Sequence, residues 1–334
     1  MRHSKLLVIL LLVVLAAPSA AQQKLAQTGM KFLSVGTDAR AVGMAEANTA
    51  LETNASALFY NPASMARLSG FTSLMLGQTQ WIADIKHFYG SVAFSPSGGE
   101  FGVLGVFVQS VDYGVFEGTV RANNEQGYLD ENDIPGLNFE PNAFLIGVGY
   151  ARALSEKFFI GGNIKYVRQS LGEALVQVGA EKVGNTTSVW AFDFGIIYRT
   201  GFKSLNFGMT VHNFSREVRY VNEGFQLPLT FKIGVAINAL DFTELDQDMH
   251  AFLVTVDAAH HRDYPEQVMV GGEYLFMKTL ALRIGYVGPA DEHNISYGVG
   301  LQTELAKLSF GLDYAYLPFG VFGDVHRFAF KFSL

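Results

Sequence analysis

Six charged side chains occupy alternate positions of otherwise apolar stretches: Lys165, Asp193, Arg199, Arg283, Asp313 and Lys331. A charge on such a stretch is tolerable only if its face meets water or an opposite charge. The chemistry open to these residues is ionic. They could line an aqueous pore, or pin another part of the chain by ion pairs, and pinning or lumen solvation is the expectation over substrate contact. Catalysis has less to work with. His260 and His261 are neighbours on a predicted strand, so they face opposite sides and cannot hold one metal together. Asp130, Glu131 and Asp133 form one acidic group, and Asp241, Glu244, Asp246 and Asp248 another. Their spacing matches no calcium loop, so both read as solvated loops. Gly147-Val148-Gly149 lies inside a predicted strand with no helix after it, which a dinucleotide loop requires. With no cysteine, thiolate nucleophiles, thiolate metal sites and disulfides are excluded. The expectation is a non-enzymatic protein with no cofactor and no metal.

The elements that carry these charges alternate with a period of two. Trp190, Phe192, Phe194, Ile196 and Tyr198 interleave with Ala191, Asp193, Gly195, Ile197 and Arg199. The same rhythm runs through Ile160–Tyr166, Leu280–Tyr286, Leu308–Tyr316 and Phe328–Leu334. Each strand therefore has one greasy face and one small or polar face. Many segments run to about ten residues or more, longer than the roughly five or six of soluble strands. Aromatics near strand ends suit an interfacial girdle. Charged residues are 16%, against roughly 25% in soluble domains. These features favour an all-β fold: a single 14-stranded antiparallel transmembrane β-barrel. The predicted strands are 72–81, 85–95, 99–113, 141–153, 156–170, 186–199, 203–214, 229–240, 250–261, 265–277, 279–288, 294–304, 307–318 and 324–334. If both chain ends face the periplasm, the longest connections, 114–140, 171–185 and 215–228, fall on the outer side. The inner connection around Asp241 to Met249 is longer than that scheme expects. Net charge is −7, so no nucleic-acid partner is expected.

Residues 1–21 read as a signal peptide. Arg2, His3 and Lys5 precede a twelve-residue apolar run from Leu6 to Ala17, and Ser19-Ala20-Ala21 supplies a cleavage site before Gln22. Residues 22–71 read as a short helical N-terminal plug for the lumen, and 72–334 as the barrel. Within the plug, Asp38, Asn54 and Ser64 are the expected caps of three short helices.

The plug also carries a resemblance. Lys31-Phe32-Leu33-Ser34-Val35-Gly36, Ala39-Arg40-Ala41-Val42-Gly43-Met44 and the stretch from Asn54 to Asn61-Pro62-Ala63 resemble the start of the PorV/PorQ family, which is related to FadL-type transporters. The pattern departs from the family at Ala45-Glu46, where Gly-Gly is frequent. The resemblance implies a fourteen-stranded outer-membrane barrel with an N-terminal hatch, in which Arg40, Gly43, Asn61, Pro62 and Ala63 have structural roles. It further implies a part in type IX protein secretion or surface attachment, with secreted cargo proteins or secretion-system subunits as partners and outer-membrane lipid around the wall. The alternative it leaves open is passive transport of a hydrophobic ligand such as a long-chain fatty acid. Partner binding would call on apolar loop residues: Tyr113, Val115, Phe116, Tyr128 and Leu129 in the longest loop, Tyr220 and Phe225 in the fourth. These could equally cover the barrel mouth.

Overall fold

The computed structural model describes residues 28–68, 70–175, 181–220, 223–290 and 293–334, and the expected signal peptide lies outside them. Fourteen strands close into one barrel. They are β1 (Thr72–Gln80), β2 (Lys86–Phe94), β3 (Val103–Asp112), β4 (Asn142–Ala153), β5 (Phe158–Ala174), β6 (Val183–Arg199), β7 (Asn206–Ser215), β8 (Thr230–Asn238), β9 (His250–His261), β10 (Gln267–Phe276), β11 (Leu280–Gly288), β12 (Ile295–Leu305), β13 (Leu308–Pro318) and β14 (Asp324–Ser333). Each pairs antiparallel with its neighbours in sequence, and β1 closes on β14 from Ser73↔Ser333 to Gln80↔His326. Closure leaves no unpaired edge, which is what lets a sheet cross a bilayer.

Alternation fixes which face is which. Trp190, Phe194 and Tyr198 on β6 are exposed on the outer wall, while Ala191, Asp193 and Ile197 between them are buried inside. The end of the barrel that holds Thr72 and Leu334 is called the near end here, and the opposite one the far end. The long connections, 113–141 and 216–229, are at the far end, as is the connection between β5 and β6. The β5–β6 pair differs from expectation. It runs on to Ala174 and from Val183, so much of the expected loop is a projecting hairpin with a register shift between Ser170 and Glu173. The long connection at 239–249 is ordered rather than loose. It opens with a helical turn, Ala239–Phe242, and Asp241 Oδ2 accepts from the Ser204 backbone N–H at 2.9 Å, tying two near-end turns together.

The N-terminal segment threads the lumen from far end to near end. Its first described residues lie at the far end, where the Gly29 N–H donates to Gln226 O at 3.1 Å. It is built from short turns: 3-10 turns at Lys31–Ser34, Ala55–Phe59 and Pro62–Arg67, and one α-helical turn, α1 (Ala39–Gly43). Asp38 caps α1 as expected, its Oδ1 accepting from Arg40 N at 3.0 Å. Asn54 makes no side-chain cap hydrogen bond on the following turn. Ser64 sits inside the third rather than before it, donating from Oγ to Leu51 O at 2.8 Å. The third cap is Asn61, with Pro62 at the first helical position, where its missing N–H costs nothing.

Small residues let this segment lie directly on the wall. A Cβ on Gly43 would come within 3.0 Å of the Cα of Gly298, so α1 packs backbone to backbone on β12. A Cβ on Gly195 would meet Asn61 Oδ1 at 1.9 Å. Leu58 and Met65 bury themselves among Phe107, Leu145 and Phe159 of the wall, forming the main apolar core.

Candidate functional site

The lumen holds two features: a chain of buried charges toward the near end and an apolar cavity toward the far end. The charges alternate in sign. Arg40 of α1 donates from Nε and Nη2 to Glu273 of β10, at 2.9 and 2.6 Å. Glu273 also accepts from Arg283 of β11 at 2.5 Å, and Arg283 Nη1 donates to Asp313 of β13 at 2.6 Å. Asp313 lies 3.0 Å from Lys331 Nζ of β14, which pairs in turn with Asp38 at 2.8 Å. The path thus leaves the plug at Arg40, crosses four wall strands and returns at Asp38. Three cations face three anions, so the six charges of this chain compensate one another.

Of the sequence-predicted charges, Arg283, Asp313 and Lys331 belong to this chain. Arg199 lies nearer the near end and is bidentate to Glu52 of the N-terminal segment. Lys165 and Asp193 pair with each other at 2.7 Å inside the opposite wall. They hold a β-bulge rather than the plug: Lys165 donates to Asn213 Oδ1 at 2.7 Å, and the Asn213 N–H to Asp193 Oδ1 at 2.9 Å, where the β6–β7 register shifts. Asn213 has φ 62, a left-handed conformation that asparagine tolerates better than most residues. Glu273, Asp257 and Arg327 are buried lumen charges that sequence reasoning missed. Each stands in phase with inward neighbours, Glu273 with Met269 and Gly271, for example, so the alternation could have found them.

Asn61 Nδ2 donates to Thr49 O at 2.7 Å and to Ile196 O of the wall at 3.1 Å, while its Oδ1 accepts from Ala63 N at 3.1 Å. One side chain thus caps a turn, ties two parts of the segment and bonds the barrel.

Toward the far end lies a cavity of about 640 Å³. Phe32 and Val42 of the N-terminal segment form part of its lining, with Trp81, Ile85, Leu317 and Phe319 from the far-end wall. Its polar lining includes Lys232, Glu46, His87 and His261. A second, more polar cavity of about 540 Å³ opens toward the near end and includes Arg40, Arg283 and Lys331. Val42 faces the first and Arg40 the second, so α1 stands between them. At the rim of the far cavity, Lys31 pairs with Asp263 just beyond β9. Burial pushes the Asp263 carboxyl up, but hydrogen bonds from Lys31 and Thr28 outweigh it and hold the group below the usual carboxylate range.

The predicted loop anchors differ in placement. Phe116 and Tyr128 are exposed, and Phe116 stacks on Phe139 at 5.7 Å. Tyr220 is not a free anchor. Its Oη donates to Gln169 Oε1 at 2.9 Å, its ring stacks on Phe225, and Gln169 Nε2 donates to Tyr113 Oη at 3.1 Å. Burial pushes both tyrosine hydroxyls up to about 12. Tyr113, Tyr220 and Phe225 are thus linked through Gln169 and ring stacking at the far end. Sequence reasoning passed over Val321, 95% exposed at the tip of the last far-end turn, beside the exposed Phe322. Among the described residues, no group of three His, Cys, Asp or Glu side chains is placed to hold a metal ion.

Several known structures share the fold at low identity. The Pseudomonas putida toluene transporter TodX superposes with a TM-score of 0.57 at 12% identity, covering 93% of this chain and 98% of that one. The Ralstonia pickettii toluene transporter TbuX gives 0.55 at 10% identity, over 89% and 97%. A Pseudomonas aeruginosa FadL homologue gives 0.53 at 10% identity, again over 89% and 97%. No curated protein matches in sequence. A family model described as "Type IX secretion system protein PorV" matches residues 18–253, from before the plug to within β9. That match spans most of the chain, and this outer-membrane barrel belongs to the PorV family.

Proposed function

We propose that this protein is a non-enzymatic partner-binding barrel of a type IX-like secretion or surface-attachment pathway. It engages exported proteins or secretion-system subunits at its far rim. The observation that carries this reading is the locked lumen. α1 stands between the two cavities and is tied at both Asp38 and Arg40 into a neutral six-charge chain. Moving it means separating buried ion pairs, each costing about 3–5 kcal/mol when one partner is lost. A plug held this way suits a scaffold whose work is done outside it. The far rim supplies the contact surface through Phe116, Tyr128, Val321 and Phe322. Exposed large apolar side chains at a rim are what a protein partner buries.

The test is the double variant Phe116→Ser/Tyr128→Ser. The barrel should assemble normally, because neither side chain packs in the wall, while capture of the exported partner is lost. Unchanged capture by a correctly assembled double variant would count against the rim. A second reading is favoured by the far cavity, whose apolar lining suits a hydrophobic small molecule. On that reading the protein is a passive carrier and α1 is a movable hatch.

A further inference from the structure

The wall itself carries a feature that neither reading uses. On the outer, lipid-facing side of β4 to β7 lies a groove of about 430 Å³. It exists because one outward position in a band of large side chains is empty. Tyr150, Ile160, Phe194 and Val211 point outward around it. Gly162 stands in the same row as Tyr150 and Phe194, paired with both. A Cβ on Gly162 would meet only Asp193 O at 3.4 Å and the Phe194 ring at 3.7 Å, so the backbone there admits a side chain that the sequence omits. The register shift at Asn213 lies beside the groove on β7, where a bulge increases local twist.

A cation stands at the groove's near-end side. Arg152 is exposed on the same outer face of β4 and pairs in register with Ile160 of the lining. It lies two residues beyond Tyr150, about 7 Å along the strand, next to the near-end turn at 154–157. Among the described residues, no carboxylate lies within ion-pair distance of Arg152, Lys157 or Lys203. The carboxylates of the near-end turns at 95–102, 154–157 and 239–249 are Glu100, Glu156, Asp241, Glu244, Asp246 and Asp248; Glu156 is taken by Arg67, Asp241 by Ser204 and Asp248 by Lys278. An unpaired arginine on the lipid face extends its head toward the membrane interface.

We infer that this groove binds one anionic phospholipid, with an acyl chain lying over Gly162 and the phosphate held by Arg152. The two halves of the site match the two halves of that molecule. An apolar trough lies at hydrocarbon depth, and an uncompensated cation lies at the interface. The inference rests on the barrel spanning a membrane and is independent of what the far rim engages.

Native mass spectrometry of the full barrel tests it. The probe is detergent solution containing equal phosphatidylglycerol and phosphatidylcholine with identical acyl chains. The expected result is one retained lipid, with phosphatidylglycerol at least fivefold over phosphatidylcholine. Gly162→Leu fills the trough and should lower retention of either lipid at least fivefold. Arg152→Gln should equalise the two lipids, and its exposed site keeps folding out of question. Heat-modifiable gel migration checks that each variant is folded. Equal retention of the two lipids by the parent protein overturns the inference, as does parent-like retention by both variants, which is what non-specific boundary lipid gives.

Discussion

Replacing Arg40 by Met cuts the chain of charges at the point where the plug meets the wall. Arg40 makes two hydrogen bonds to Glu273, at 2.9 and 2.6 Å, and Glu273 is almost wholly buried. Losing one partner of a buried pair costs about 3–5 kcal/mol. Glu273 keeps Arg283 at 2.5 Å, so the cost falls at the low end, about 3 kcal/mol. That loss is local, because the ladder between β10 and β11 is untouched. Hydrogen exchange reads it directly. The Val42 amide, bonded to Asp38 O, and the Glu46 amide, bonded to Ala41 O, report the opening of α1. At about 1.4 kcal/mol per tenfold, their exchange should accelerate on the order of 100-fold. Amides of β10 and β11 should not change. The Arg40→Met/Glu273→Met double variant should lose less than the sum of the two single variants, since residues in contact couple. Exchange at Val42 and Glu46 within threefold of the parent would show that the charges do not hold the plug.

Gly195→Ala should lower the chemical unfolding midpoint of the barrel by the equivalent of about 1–3 kcal/mol, the usual cost of overpacking. The new methyl would stand 1.9 Å from Asn61 Oδ1, and an unshifted midpoint would mean that the Asn61 contact is dispensable. The far-end anchor should be acid-sensitive. Because the folded Asp263 carboxyl titrates below its ordinary range, its contribution is fully present above the ordinary value of about 3.9 and is lost as pH falls through the folded value. Exchange protection at Gly29 and Leu33, corrected for intrinsic rate, should therefore hold at pH 5 and fall toward pH 3. Asp263→Asn should remove the protection at pH 7, and a flat profile in the parent protein would contradict the role of this pair.

The strands were legible because lipid on one side and packed lumen on the other impose a strict period of two. The same logic explains where reading stopped. Beyond the lipid band both faces of a strand meet water, so Leu171–Ala174 and Val183–Thr186 carry no alternation, and the extension of β5 and β6 read as loop. Asp38 was readable as a cap because its partner, Arg40 N, is two residues away. Ser64 misled because its hydroxyl serves distant backbone at Leu51 instead of the turn it appeared to start. Arg283, Asp313 and Lys331 stood out as charges on amphipathic strands, yet their connection through Glu273 to Arg40 did not. Arg40 and Glu273 are 233 residues apart, and nothing local to either announces the other. The far-end position of Gly29 and Lys31 was equally hidden, since it depends on contacts with loops after β7 and β9.

The most direct test of partner binding is purification of the protein from its native outer membrane in gentle detergent, followed by mass spectrometry of everything that accompanies it. Recovery of exported proteins sharing one C-terminal domain, or of a large translocon subunit, at stoichiometric yield is the expected result. Recovery of a stoichiometric apolar small molecule with no protein partner would contradict it, and would make the far cavity, not the rim, the working part of the molecule.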